Sequence, residues 1–207
     1  MGRTSDTPEK LKIALSELML EHSYGAVTID AICVRAGVNK GSFYHFYKKK
    51  ADLAIEAFEH IWETEGRPWM DNAFSPSEKP LDRIRNWLKC GFEHTRADIE
   101  KHGKILGCPF YNVGSEISTL EPLLAVKIIE ILDLHQNYIA SALREAVEAG
   151  LVEIDDVDVV ALDVFTLVEG AITRARITND PAPLNSLPVS IGRLIGTDLG
   201  EITYLTK

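Results

Sequence analysis

Long apolar runs are missing from this chain. No stretch reaches the roughly 18 residues at which a membrane-spanning helix becomes plausible, so no membrane span is expected. The opening residues, MGRTSDTPEK, are polar and hold no apolar segment ahead of a cleavage site. No secretory signal is therefore expected, and the cytoplasm is the expected location. Cysteine is scarce as well. Cys33, Cys90 and Cys108 are odd in number, widely spaced and free of any Cys-x-x-Cys pair, which argues against a disulfide framework or a structural zinc site. Cys90 and His94 stand four apart on a helical pattern, yet a metal face would need His102 and Cys108 from elsewhere, so no metal and no cofactor is expected. Nucleophile elbow, phosphate loop, HExxH and dinucleotide fingerprint are all absent, and no spacing of His and acidic residues points to an acid–base pair, so an enzyme is not expected. Strand-period alternation, internal repeats and low-complexity tails are lacking too.

Positive charge is in short supply overall, with a net charge of −9, which taken alone argues against nucleic acid. Its distribution argues the other way. Residues 1–50 carry eight Lys or Arg against five acids, a local excess of +3, and the remainder carries −12. A basic head on an acidic body lets one face meet phosphates while the bulk resists nonspecific adhesion.

What is present is helical period. Leu11, Ala14, Leu15, Leu18 and Met19 predict an amphipathic helix over 8–22, with Thr7 as N-cap and Pro8 in the first turn. A second helix runs from near Thr28 to Ala36, with Ile29, Ile32, Cys33 and Ala36 inward, and stops at Gly37. A third follows the N-cap Asn39 to about Tyr47. A fourth covers 50–65, until Gly66 and Pro68 break it and a connector fills 66–79. Further helices are expected over 80–101, then, after a break marked by Gly103, Gly107 and Pro109, a short one to about Ile117, and one from Pro122 to a stop at Gly150. The seam of the last is Leu124, Ile128, Ile131, His135, Tyr138 and Ala142. Val157, Val160, Ala161, Val164, Val168, Ala171, Ile172 and Ala175 mark the next, and a final helix is expected over 185–204.

The stretch TIDAICVRAGVNKGSFYHFYKKK, Thr28 to Lys50, reads as two short helices joined by a glycine-containing turn. The second presents Lys40, Ser42, Tyr44 and His45, with Gly41 in its first turn and Lys48, Lys49 and Lys50 after it. Small and polar groups at the start of a helix suit base edges, and adjacent cations and hydroxyls suit phosphates. A solvated helical hairpin with a lysine run is the plainer alternative, and a helical protein-interaction module is a third possibility.

These residues resemble the TetR family of bacterial regulators. The likeness rests on Thr28, Ala36-Gly37-Val38, Lys40-Gly41-Ser42-Phe43-Tyr44, Phe46-Tyr47 and Lys50-Ala51-Asp52-Leu53, and covers residues 8–58. It implies an all-α fold of about nine helices: a three-helix helix-turn-helix DNA-binding domain over 1–50, and a helical ligand-sensing and dimerisation domain over 51–207. It also implies that Lys40 and Gly41 enter the major groove, with Ser42 beside them. Thr28, Tyr44, His45 and Lys50 would contact phosphates, Lys48 and Lys49 would add unspecific charge, and Phe43, Phe46 and Tyr47 would pack inward. The implied partners are a double-stranded palindromic operator, a second copy of the chain and a small-molecule effector whose binding releases DNA.

For the body, the resemblance implies pairing through the last two helices, where Gly192, Gly196 and Gly200 stand four apart as if for close packing. Candidate effector-lining residues are Trp62, Trp87, His94, Cys108, Phe110, Tyr111, Asn112, Tyr138, Phe165 and Glu169. Glu169 lies in a largely apolar helix, so it either faces solvent or is buried and needs a partner. Gly107-Cys108 through Asn112 to Glu116 resembles a Gly-Cys-x-x-x-Asn-x-x-x-Glu pattern of one TetR subgroup, some members of which sense electrophiles or oxidants at the cysteine. Pro109 and Tyr111 depart from that pattern. An inert Cys108 and a redox or electrophile sensor are the two readings.

Overall fold

The computed structural model describes residues 6–117, 119–200 and 202, and every regular element among them is helical. In chain order these are α1 (Thr7–Glu21), α2 (Ile29–Ala36), α3 (Lys40–Phe46), α4 (Lys50–Ile61), a π turn (Trp62–Gly66), α5 (Arg67–Ala73), α6 (Pro80–His102), α7 (Pro109–Ile117), α8 (Pro122–Glu148), α9 (Val157–Thr178), a 3-10 turn (Ala182–Ser186) and α10 (Leu187–Ile195). The expected all-α class is the class found. The chain divides into two compact units. One holds the described residues up to Arg67 together with Pro109–Ile131, and the other holds Pro68–Cys108 and those from Leu132 onward.

In the first unit, Leu11 and Leu15 of α1, Ile32 of α2, Phe43 of α3 and Leu53 and Phe58 of α4 are fully buried. Phe43 is the pin of the helix-turn-helix, and truncating such a residue to alanine costs about 3–5 kcal/mol. Local chemistry sets the helix ends. The Ser42 N–H donates to Asn39 Oδ1 at 2.8 Å, so the expected cap of α3 forms, and the Ala31 N–H donates to Thr28 Oγ1 at 3.1 Å, a cap on α2 that was not expected. Gly37 closes α2 at φ +66°, a left-handed backbone that glycine adopts without strain. Arg35 of α2 reaches back to α1, 3.2 Å from Glu17 and 2.8 Å from Glu21. At the start of α1 the cap position is Asp6 rather than Thr7, and its carboxylate pairs with Lys10 instead of capping.

Gly66 and Pro68 do not end the fourth helix as expected. The chain widens into the π turn, where the Arg67 N–H bonds to the Trp62 carbonyl, and helix continues to Ala73. A π turn already lacks the regular i to i−4 bond that proline removes, so Pro68 follows it without breaking the helix.

In the second unit, α6 buries Ile84, Trp87, Leu88 and Phe92, α8 buries Ile139 and Leu143, and α9 buries Ala161, Val164, Phe165 and Val168. Buried Arg83 holds the connector after α5. Its Nε donates to the Glu78 carbonyl at 2.9 Å, and it pairs with Glu145 at 2.8 Å. The loop 103–108 is fixed from two sides. The Leu106 N–H donates to Asp98 at 3.2 Å, and the Ile105 N–H donates at 3.0 Å to Asn179, the C-cap of α9.

The final helix is shorter than expected. It ends at Ile195 because Gly196 turns left-handed at φ +74°. Gly196 and Gly200 therefore form no helical face with Gly192. The close packing at Gly192 is with its own chain, since a Cβ there would lie 2.6 Å from the Thr197 carbonyl oxygen. Residues 201, 203 and 204 of the expected helix lie outside the described residues.

Candidate nucleic-acid interface and sensing residues

Helix α3 turns one face inward through Phe43 and the other to solvent. Lys40, Gly41, Tyr44 and His45 are exposed, and Ser42 is half-buried against its cap. A shallow depression lined by Thr7, Asn39, Gly41, Ser42, His45 and Phe46 opens along this edge. The Lys40 ammonium lies 2.8 Å from the Asp30 carboxylate of α2, whose hydrogen bond raises the lysine pKa. Both partners are exposed, so the pair is weak enough to exchange for another acceptor. Thr28 caps α2 through its oxygen and keeps a hydroxyl proton to give. Lys48 and Lys49 are exposed, and the ammonium of Lys49 is 3.0 Å from Glu121.

Two expected placements differ. Phe46 is 40% exposed, its ring edge-on to His45 with centroids 4.7 Å apart, and does not join the core. Tyr47 does, with its hydroxyl donating to Glu56 at 2.7 Å. Lys50, expected to reach out to phosphate, is half-buried and turned to its own chain. Its ammonium donates to the carbonyls of Tyr24 and Val27, both at 2.7 Å, and lies 4.1 Å from the centre of the Tyr24 ring. Burial lowers its pKa, against the pull of Glu116 and Glu121. Lysine directly after a recognition helix is spaced for phosphate, but here the α1–α2 turn offers two carbonyls first.

The opposite side of that turn belongs to Glu116 of α7, which accepts from the Tyr24 N–H at 3.0 Å and the Gly25 N–H at 2.6 Å. Reading the sequence placed Glu116 in a motif but gave it no role. The motif spacing was the only available signal.

Among the candidate sensing residues, the second unit buries Glu169 at 6% exposure. The Cys108 thiol donates to its carboxyl, and its Oε2 has no hydrogen-bond partner among the described residues. Burial pushes the carboxyl pKa up to about 7. The solvent-facing alternative for Glu169 is thus removed. Phe165, one turn before it, stacks on His135 at 5.8 Å. Trp87 packs near Phe74, which packs on Tyr138, and the Tyr138 hydroxyl donates to Asp71. His94 stands apart, largely exposed and 3.9 Å from Asp98. In the first unit, Trp62 is buried and Phe110 lies 5.5 Å from Phe58, while Tyr111 and Asn112 are half-buried. Cys33 is buried in α2. No group of three or more His, Cys, Asp or Glu among the described residues is placed to hold a metal ion.

A capped helix-turn-helix with a polar, outward second helix defines a DNA-binding transcription regulator. Residues 14–57 match the family model described as bacterial regulatory proteins, tetR family, and residues 80–188 match the tetracyclin repressor-like C-terminal domain. The chain belongs to the TetR family of transcriptional regulators. Its members are regulators rather than enzymes, generally ligand-responsive repressors that bind DNA as dimers.

The chain is 34% identical over 179 residues to the transcriptional regulator AcuR of Cereibacter sphaeroides, spanning 86% of this chain and 80% of that protein. It is 22% identical to the HTH-type transcriptional repressor NemR of Escherichia coli, spanning 93% and 95%. Among solved structures it is similar to the regulatory protein TetR from Rhodobacter sphaeroides, with a TM-score of 0.79 at 33% identity over 92% of this chain and 99% of that one. The reduced form of E. coli NemR shares the fold, with a TM-score of 0.78 at 21% identity over 93% and 97%. No helix among the described residues is long and apolar enough to cross a membrane.

Proposed function

We propose that this chain is a ligand-responsive repressor of the cytoplasm. Two copies bind a palindromic operator, and a small molecule taken up by the body releases it. The carrying observation is the outer edge of α3, where Lys40, Gly41, Tyr44 and His45 face solvent around an N-terminus capped by Asn39. Residues 1–50 bind DNA, with Lys40, Gly41 and Ser42 reading bases and Thr28, Tyr44, His45 and Lys48 meeting phosphates. Residues 51–207 sense and pair. Exposed Val159 and Leu162 on α9, and Val189 and Leu194 on α10, support pairing through these two helices. Buried Trp87, Phe165 and Glu169 are the aromatic and acidic groups that favour an effector site in the second unit.

Selection of bound duplex from a random pool, followed by a screen for compounds that release it, tests this reading. An inverted repeat with half-sites roughly 34–36 Å apart is expected. A monomer that enriches no sequence at low salt overturns it.

A second reading is favoured by the thiol of Cys108 resting against the Glu169 carboxyl. That carboxyl can receive the thiol proton as sulfur reacts, so an oxidant or electrophile, rather than a reversibly bound ligand, would release DNA. The E. coli NemR structure, that of its reduced form, belongs to a protein of the same fold.

A further inference from the structure

The turn between α1 and α2 is held by groups from outside both helices. Its N–H groups at Tyr24 and Gly25 donate to Glu116 of α7, at 3.0 and 2.6 Å. Its carbonyls at Tyr24 and Val27 accept from Lys50 of α4, both at 2.7 Å. The turn's own bonds complete the set, with the Val27 N–H donating to the Tyr24 carbonyl at 3.2 Å. Thr28, the cap of α2, follows at once. Hydrogen bonds to a charged acceptor are the strong ones, and here one carboxylate spends both oxygens on two consecutive amides. The carboxylate comes so close that a Cβ on Gly25 would lie 2.7 Å from Glu116 Oε1, so a methyl at position 25 has to push the end of the Glu116 side chain off the turn.

We infer that Glu116 is a positioning residue for operator recognition: from α7, beyond the DNA-binding head in sequence, it fixes the turn that sets where α2 begins, and with it the seat of α3. Sequence-specific contact needs the recognition helix within a fraction of an ångström, whereas phosphate attraction does not. Loss of the clamp therefore falls on specific binding and spares nonspecific binding, which rests on exposed lysines such as Lys48 and Lys49. The inference rests on the DNA-binding reading and not on the identity of any effector.

The test is a double-mutant cycle on the full chain with Glu116→Ala and Gly25→Ala, read by affinity for the selected operator and for an unrelated duplex. Each single variant should lose about tenfold in operator affinity, with affinity for the unrelated duplex unchanged. The double variant should be no worse than either single, because both remove one contact. Glu116→Gln, which keeps one acceptor, should fall between. Amide exchange at Tyr24 and Gly25 in Glu116→Ala should quicken while the helical core stays protected, a readout available even where binding is weak. Operator affinity within twofold of the parent, additive losses in the double variant, or equal losses on both duplexes overturns the inference. A parent protein that binds no duplex at all would instead remove the DNA-binding reading itself.

Discussion

Lys40 and Asp30 form an ion pair at 2.8 Å, so the side chain proposed to read a base edge is held, without DNA, by an acid of the preceding helix. Moving the ammonium to a guanine means giving up this pair, and Asp30 remains as a negative charge near the duplex. Both groups lie in solvent, so the competition is modest. Asp30→Asn should tighten operator binding by about threefold. Lys40→Ala should weaken it by about 1–3 kcal/mol and relax preference at one base position. Binding titrations against the operator and its single-base variants check both. Tightening absent from Asp30→Asn, or a Lys40→Ala loss that is uniform across sequences, contradicts the arrangement.

Lys50 separates the structure from the expectation that it meets phosphate. An ammonium donating to two backbone carbonyls contributes to folding, while a phosphate contact contributes to salt-dependent affinity. Lys50→Met should lower stability by about 1–3 kcal/mol, since two carbonyls lose a charged donor. It should leave the salt slope of binding unchanged, whereas loss of a phosphate contact flattens that slope by about one unit. Urea unfolding and binding at several salt concentrations tell the two apart.

Residues whose roles are set by near neighbours were legible in the sequence. Asn39 caps because its oxygen reaches an amide three residues on, Gly37 stops α2 because of its own backbone, and Phe43 is buried as the family resemblance implies. Roles decided at long range were not legible. Lys50 finds carbonyls 23 and 26 residues back, and Glu116 finds amides 91 and 92 residues back. Glu169 had two readings until the burial of α9 chose between them. Pro68 looked like a stop because a π turn leaves no periodic mark, and the glycines after 190 looked like one helical face because the left-handed turn at Gly196 changes no hydrophobic pattern.

Glu169 makes stability depend on pH. Its carboxyl has an ordinary pKa of 4.5 in the open chain and about 7 in the fold, raised by burial and only partly offset by the Cys108 hydrogen bond. Below pH 4.5 both states hold the proton. Between 4.5 and 7 the unfolded chain releases it while the folded chain keeps it, so stability falls across this window and levels off above it. The span corresponds to about 3 kcal/mol. Glu169→Gln cannot ionise, so it should remove that slope and be the more stable protein at pH 8. Unfolding midpoints at pH 4.5, 6 and 8 check this, and parallel curves for the two proteins would show that the carboxyl does not titrate in this range.

Cys108 is hydrogen-bonded to the buried Glu169 carboxyl, whereas Cys33 and Cys90 only lie near the charges of Asp30 and Glu93. Burial pushes the thiol pKa of Cys33 and of Cys90 up, which suppresses the reactive thiolate at both. Cys108 is half-exposed and touches Glu169. If sulfur chemistry governs release, iodoacetamide or hydrogen peroxide should dissociate the parent protein from its operator. Cys108→Ser should hold DNA under the same treatment, while Cys33→Ser and Cys90→Ser respond like the parent. Glu169→Gln should slow the reaction of Cys108 most above pH 7, where the parent carboxyl is ionised and able to accept the proton. Fluorescence anisotropy of labelled operator, with mass spectrometry of the modified cysteine, reads both effects. A Cys108→Ser protein that still lets go of DNA on treatment leaves the reversible-ligand reading in place and removes the sulfur one.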